Sequence, residues 1–251
     1  VRQNNEMSSQ YNVRGGTYDE NSVYVNGLEV YRPLLIRSGQ QEGLSFANTD
    51  MVESVDFSAG GFDAQYGDRM SSVLDIRYKR PEKLESRLNI SLLGASGYVG
   101  WGDSVQSQMH GIRYKTSKYI LGALDTKGNY KPNFVDYQTQ MTWKVGRKAI
   151  RRLGDEAWER RLMGNFSQNS YTFDPDSAET TSGTLQNPLT KIIYFEGQEK
   201  DMFRTAFAAL SAYGKVHPEV KIGFDLSGFY THEQETYDIH SELILSKQDK
   251  E

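Results

Sequence analysis

From Val135 to Val145 the chain alternates without a break, with Val135, Tyr137, Thr139, Met141, Trp143 and Val145 on one side and Asp136, Gln138, Gln140, Thr142 and Lys144 on the other. Successive side chains of a strand point to opposite faces, so this strand has one greasy and one polar face along its whole length. At about 3.3 Å per residue it spans roughly 33 Å, or about 23 Å along an axis inclined at 45°, close to the ~25 Å apolar band of an outer-membrane barrel. A soluble antiparallel sandwich alternates in the same way with its apolar face on a core, and periodicity alone does not separate the two.

The pattern recurs. Val220, Ile222, Phe224 and Leu226 alternate with Glu219, Lys221, Gly223, Asp225 and Ser227, and Leu88, Ile90 and Leu92 with Asn89 and Ser91. Weaker runs at 109–123, 160–173, 203–214 and 236–246 bring the number of long strands after Pro81 to about seven. Replacing the 16 Tyr of the 37% hydrophobic set by the 23 Gly gives an apolar fraction of roughly 40%, below the usual 45–50%. A water-filled interior would explain the deficit, because it needs no hydrophobic core. Residues 146–159 read as a short amphipathic helix or a long turn, 174–200 as a long polar loop, and Gly94-Ala95-Ser96-Gly97 as a bend inside a strand.

Several classes drop out. A net charge of −4 leaves no basic footprint for nucleic acid. No apolar run approaches the ~18–20 residues of a spanning helix. With no cysteine there are no disulfides, thiolate nucleophiles or sulfur-ligated metals. His110, His217, His232 and His240 lack ligand spacing, and Asp174-Pro175-Asp176 lacks the glycine and distal glutamate of a calcium loop. No nucleophile-elbow, dinucleotide or phosphate-loop pattern occurs, so neither an enzyme nor a cofactor or metal is expected. Val1 is not followed by a basic and then an apolar stretch, so any export signal is expected upstream of it.

The first eighty residues are more specific. Ser22-Val23-Tyr24-Val25, Asn26-Gly27 and Leu28-Glu29-Val30-Tyr31 form a hairpin signature, since Asn-Gly accepts the two positive φ angles of a type I′ turn. Around it stand, in order, Tyr11-Asn12-Val13-Arg14-Gly15-Gly16, the hairpin, Asn48-Thr49-Asp50-Met51-Val52-Glu53, Gly60-Gly61, Tyr66-Gly67 and Ser72-Val73-Leu74-Asp75-Ile76. Together they resemble the plug domain of a TonB-dependent outer-membrane receptor. The resemblance implies a mainly β protein: a small plug domain with a short mixed sheet, then the first antiparallel strands of a 22-stranded transmembrane β-barrel. The implied division is plug at 1–81 and barrel at 82–251, with the boundary within a few residues of Pro81.

It further implies plug-gated import of a scarce nutrient, a small molecule or an oligomer, across the outer membrane of a Gram-negative bacterium. TonB and outer-membrane lipid are then partners. The wording of Arg32-Pro33-Leu34-Leu35-Ile36-Arg37-Ser38-Gly39-Gln40-Gln41 is similar to the branch with an extra small β domain before the plug, and a surface lipoprotein partner is compatible with it. Twenty-two strands need well over about 400 residues, whereas 251 − 80 = 171 follow Arg80, so the barrel and the TonB-contacting segment are expected to extend beyond this sequence.

By the same resemblance, Tyr18, Asp19, Glu20, Asn21, Arg32, Arg37, Gln40 and Gln41 belong to the plug's outward apices and are candidates for ligand contact. Arg14, Glu53 and Asp56 are candidates for plug-to-barrel contacts. Phe57-Ser58-Ala59-Gly60-Gly61 lacks the basic residue many members carry there, so Arg69 stands in as a fourth. The other reading is a non-transporting β-rich outer-membrane or surface component that binds or builds. A first strand running outward would put the polar stretch 174–200 on the periplasmic side, against the short-turn rule, so strand direction stays open.

Overall fold

The computed structural model describes residues 2–3, 11–15, 20–31, 45–67, 71–116, 128–145, 158–184, 187–217 and 219–247. Arg2–Gln3 (β1) pairs antiparallel with Tyr11–Asn12 (β2). Asn21–Val25 (β3) and Leu28–Glu29 (β4) form the hairpin, with Asn26 at φ 53° and Gly27 at φ 82° as a type I′ turn requires. Val52–Ser58 (β5) and Ser72–Tyr78 (β6) complete a four-stranded mixed sheet in the order β4-β3-β6-β5, in which β3 runs parallel to β6. Val23, Val25, Leu28, Val30, Ile76 and Tyr78 are among its buried apolar residues.

A second, antiparallel sheet follows and forms a wall. Its strands are Glu85–Ser91 (β7), Gly94–Gly102 (β8), Gln106–Thr116 (β9), Gly128–Val145 (β10), Trp158–Pro175 (β11), Ala178–Thr184 (β12), Asn187–His217 (β13) and Val220–Lys247 (β14). Each of β7 to β10 pairs with the next, β11 pairs with β13, and β13 pairs with β14. β12 pairs with β13 beyond the end of β11, so it continues β11 after the break at 176–177. The 31 residues of β13 would reach roughly 100 Å at about 3.3 Å each, far more than a bilayer needs.

Three sequence expectations change here. The glycine-rich run read as a bend is a full strand, β8, paired with β7 on one side and β9 on the other. Apart from the break at 176–177, the described part of 174–200 is strand rather than loop, and 220–226 and 236–246 belong to one strand, β14. The three corrections share a cause: a paired backbone ladder holds Gly, Ser, Thr and Lys in extended form whatever their own preference. Of the stretch 146–159, residues 146–157 lie outside the described residues, and 158–159 begin β11. Counting β8 also alters the parity. The β7–β8 and β12–β13 reversals lie at the end away from Pro81, and the β8–β9 and β13–β14 reversals lie at the Pro81 end.

The wall is inverted relative to a soluble sandwich. On β10, Asp136, Gln138 and Gln140 are 0%, 2% and 3% exposed, while Val135 and Tyr137 are 41% and 43% exposed. Pairing extends this face across the sheet: Ile112, Tyr137, Phe166, Ala206 and Tyr230 share one outward row, and Gln108, Met141, Leu162, Leu210 and Leu226 another. Neither row contains Asp, Glu, Lys or Arg, and Arg160 and Arg204 stand in the flanking rows on either side. All three tryptophans, Trp101, Trp143 and Trp158, take outward positions towards the Pro81 end. An apolar belt with amphipathic rings at its margin suits a bilayer.

Candidate functional site

The inward face of the wall packs on the mixed sheet, and the contact is built mostly from polar groups. Asn48 caps a short 3-10 turn, Thr49–Met51, by accepting from the Asp50 N–H at 3.1 Å. The preceding carbonyls of Ser45, Phe46 and Ala47 turn towards the wall. There Arg113 of β9 donates to all three, at 3.0, 3.4 and 2.9 Å. Its Nε and Nη2 also donate to the two carboxylate oxygens of Asp136, its cross-strand partner on β10, at 2.8 and 2.5 Å. One planar fork thus holds a carboxylate and three consecutive carbonyls, a geometry that lysine cannot reproduce.

Gln138 lies one inward position along β10. Its Nε2 donates to the Phe46 carbonyl and, at 3.1 Å, to Asp136, while its Oε1 accepts from the Tyr78 hydroxyl at 2.8 Å. The same hydroxyl accepts from the Asn48 N–H at 3.3 Å. Burial pushes the Tyr78 phenol well above its ordinary pKa, so it stays a neutral donor. Further towards Pro81, Asn26 Nδ2 donates to Gln140 Oε1 at 2.5 Å, Arg161 donates to the Asn26 carbonyl at 3.0 Å, and Arg80 makes a two-pronged pair with Glu159. The hairpin therefore serves as a docking tip as well as a turn.

Asp50 holds the other flank. Its carboxylate accepts from Arg87 at 3.1 Å, Ser96 at 3.2 Å and Asn89 at 3.4 Å, and its carbonyl accepts from Lys79 Nζ at 2.8 Å. Apolar contact fills the gaps: Phe46 meets Phe207 edge-on at 5.5 Å between ring centroids, and Met51 joins Met109, Phe134 and Met163 in one buried cluster. Gly111 allows the approach. A Cβ there would lie 2.5 Å from Asn48 Nδ2 and 3.1 Å from Met51 Sδ.

The sequence candidates fall elsewhere. Tyr18, Asp19, Arg32, Arg37, Gln40, Gln41 and Arg69 lie outside the described residues. Glu20 and Asn21 accept from Ser71 and Ser72, both at 2.6 Å, which ties the start of β3 to β6. The Arg14 guanidinium lies against Gly60, and Asp56 is 4.0 Å from Arg77 on the neighbouring strand, so both of these contacts are internal to the mixed sheet unit rather than to the wall. Glu53 lines a shallow cleft with 79–83 and Glu85, beside the connection to β7. The residues that meet the wall are instead Asn26, 45–50 and 78–80. Asn48 and Asp50 stood within a motif already singled out, whereas Arg113 carried only the weak signal of a lone cation on an inward face.

Residues 1–72 match the family model described as TonB-dependent Receptor Plug Domain. No curated protein matches the chain. The mixed sheet is therefore the plug, and the antiparallel wall behind it is arranged as the start of a barrel.

Proposed function

We propose that this TonB-dependent receptor, identified as one by its plug at residues 1–72, imports a scarce nutrient across the outer membrane of a Gram-negative bacterium, the plug closing the wall until TonB acts on it. In this reading 1–81 serve as the plug and 82–251 as the first strands of the barrel. The Pro81 end faces the periplasm, because the strand extensions of β12 to β14 lie at the opposite end, where long extracellular loops are the rule. Tyr18, Asp19, Glu20, Asn21, Arg32, Arg37, Gln40 and Gln41 are the positions where we place ligand contact. Arg14, Glu53, Asp56 and Arg69 are the positions we propose for plug-to-barrel contacts, although Arg14 and Asp56 here touch Gly60 and Arg77.

The observation that supports this reading best is the inverted wall, polar towards the plug and apolar outwards. A soluble β-rich binding module would bury the apolar face and wet the polar one. A plug held by separate polar contacts also suits a gate, since each is worth only about 1 kcal/mol net and they can be released in turn. The test is growth and uptake in a strain deleted for the full-length gene, across a panel of limiting nutrients. Restoration of one uptake by the gene, lost again when TonB is removed, is expected; uptake of every nutrient independent of the gene and of TonB would refute import.

A further inference from the structure

Polar contacts between plug and wall are unevenly distributed. On β7 to β10 they are paired, apart from Thr142 Oγ1, through Asp50 with Arg87, Asn89 and Ser96, Arg113 with three carbonyls, Gln138 with Tyr78, and Gln140 with Asn26. On β11 and β13 the inward face is as buried but mixed: Glu159 and Arg161 pair with the plug, Met163, Phe203, Phe207 and Ala209 are apolar, and much of the polar remainder is unpaired. Among the described residues neither amide atom of Asn165 or Asn169, nor Asp201 Oδ1, nor Ser211 Oγ has a hydrogen-bond partner. These residues are 5%, 2%, 7% and 1% exposed.

Buried polar groups are normally satisfied, and a run of exceptions needs an explanation. Register places them in one column. Ser211 lies opposite Arg161 towards the Pro81 end, Asn165 and Asn169 follow along β11, and Asp201 lies opposite Tyr171 at the far end. Asp201 is also cross-strand from Glu235, with Glu199 two residues further on the same face. A seam that never opened would gain nothing from leaving these groups unpaired. A path that a solute must traverse needs free donors and acceptors that bind it transiently.

We propose that the imported solute passes the plug along this column on β11 and β13, while the paired contacts on β7 to β10 hold the plug in place. Amide and hydroxyl groups offer both donors and acceptors, so the route takes a hydrogen-bonding solute, and the carboxylates at its outer end favour positive over negative charge. The proposal rests on the import reading.

The chain contains no cysteine, so single thiols can be placed in it cleanly. The test uses the full-length receptor, freed of any other cysteine, in cells with TonB active or depleted, carrying Asn165→Cys, Asn169→Cys, Gln138→Cys or Gln140→Cys. Cationic and anionic methanethiosulfonates are the probes, and heat-modifiable mobility checks assembly. Asn165→Cys and Asn169→Cys are expected to label about tenfold faster when TonB is active and faster with the cation, a preference that Asp201→Asn removes. Gln138→Cys, or Gln140→Cys where the former fails to assemble, is expected to show no such gain. Energised labelling at the β10 positions and not at Asn165 or Asn169 would overturn the route while leaving import intact, as would absence of energised labelling at every position in cells with normal uptake. Loss of any TonB-dependent uptake by the unmodified receptor would instead refute import, and the route with it.

Discussion

Replacing Arg113 by methionine removes the cation from the most buried ion pair between the described strands. The Arg113 side chain is 10% exposed and Asp136 is 0% exposed, so the stranded carboxylate keeps only Gln138 Nε2, at 3.1 Å, as a named partner. Breaking a buried pair from one side costs about 3–5 kcal/mol, because the remaining charge is uncompensated. The carbonyls of 45–47 lose their donor as well, which adds to the loss without being additive with it. The comparison is Arg87→Met: Arg87 pairs with Asp50 at 3.1 Å, but its side chain is 56% exposed, and a pair so screened is worth about 0–1 kcal/mol. Denaturant unfolding of the full-length receptor in detergent, followed by a fluorophore on the plug, measures both. Arg113→Met is expected to lose several times more than Arg87→Met, and the double variant Arg113→Met/Asp136→Leu to regain part of it, since no charge is then left buried. A loss for Arg113→Met no larger than that for Arg87→Met would refute the clamp.

Gly111→Ala should cost about 1–3 kcal/mol of plug stability through overpacking, because its Cβ would press on Asn48 and Met51; protease release of the plug reads this. Leu210→Arg, placed on the outward face, should cost the barrel about 2–4 kcal/mol in folding titrations into lipid. Tyr78 is held above its ordinary 10.0 by burial, so its contribution is complete below pH 10 and is lost as pH rises above that. Plug stability should therefore be flat from neutral to about pH 9 and fall beyond about pH 10, with Tyr78→Phe reducing the alkaline slope. Tyr66, raised by burial and by Asp75, supplies a remainder.

How much of this could be read from residues alone depends on the strength of the local signal. The Asn26-Gly27 turn and the alternation on β10 are legible because each needs only neighbouring residues. β8 is not, since Gly94, Gly97, Gly100 and Gly102 have no side-chain period to display and only pairing with β7 and β9 reveals the strand. That single omission reversed the inferred side of the stretch 174–200. The clamp is illegible for a similar reason: Arg113 and Asp136 are 23 residues apart, and only the register of β9 with β10 makes them neighbours. Glu53 and Asp56 drew attention as the acids of a motif, yet it is Asp50, three residues before Glu53, that turns to the wall.

The central claim is that the apolar face of the wall meets lipid and its polar face meets the plug. Spin labels at Ile112 and Leu226, outward and more than half exposed, and at Gln140, inward and buried against the plug, test it in the full-length receptor in bilayers. Collision with oxygen and with a water-soluble nickel chelate is measured at each site. The account requires Ile112 and Leu226 to be open to oxygen and closed to the chelate, with Gln140 shielded from oxygen. Ile112 and Leu226 closed to oxygen, or open to the chelate, would mean that this face is packed on protein or bathed in water, and would contradict it.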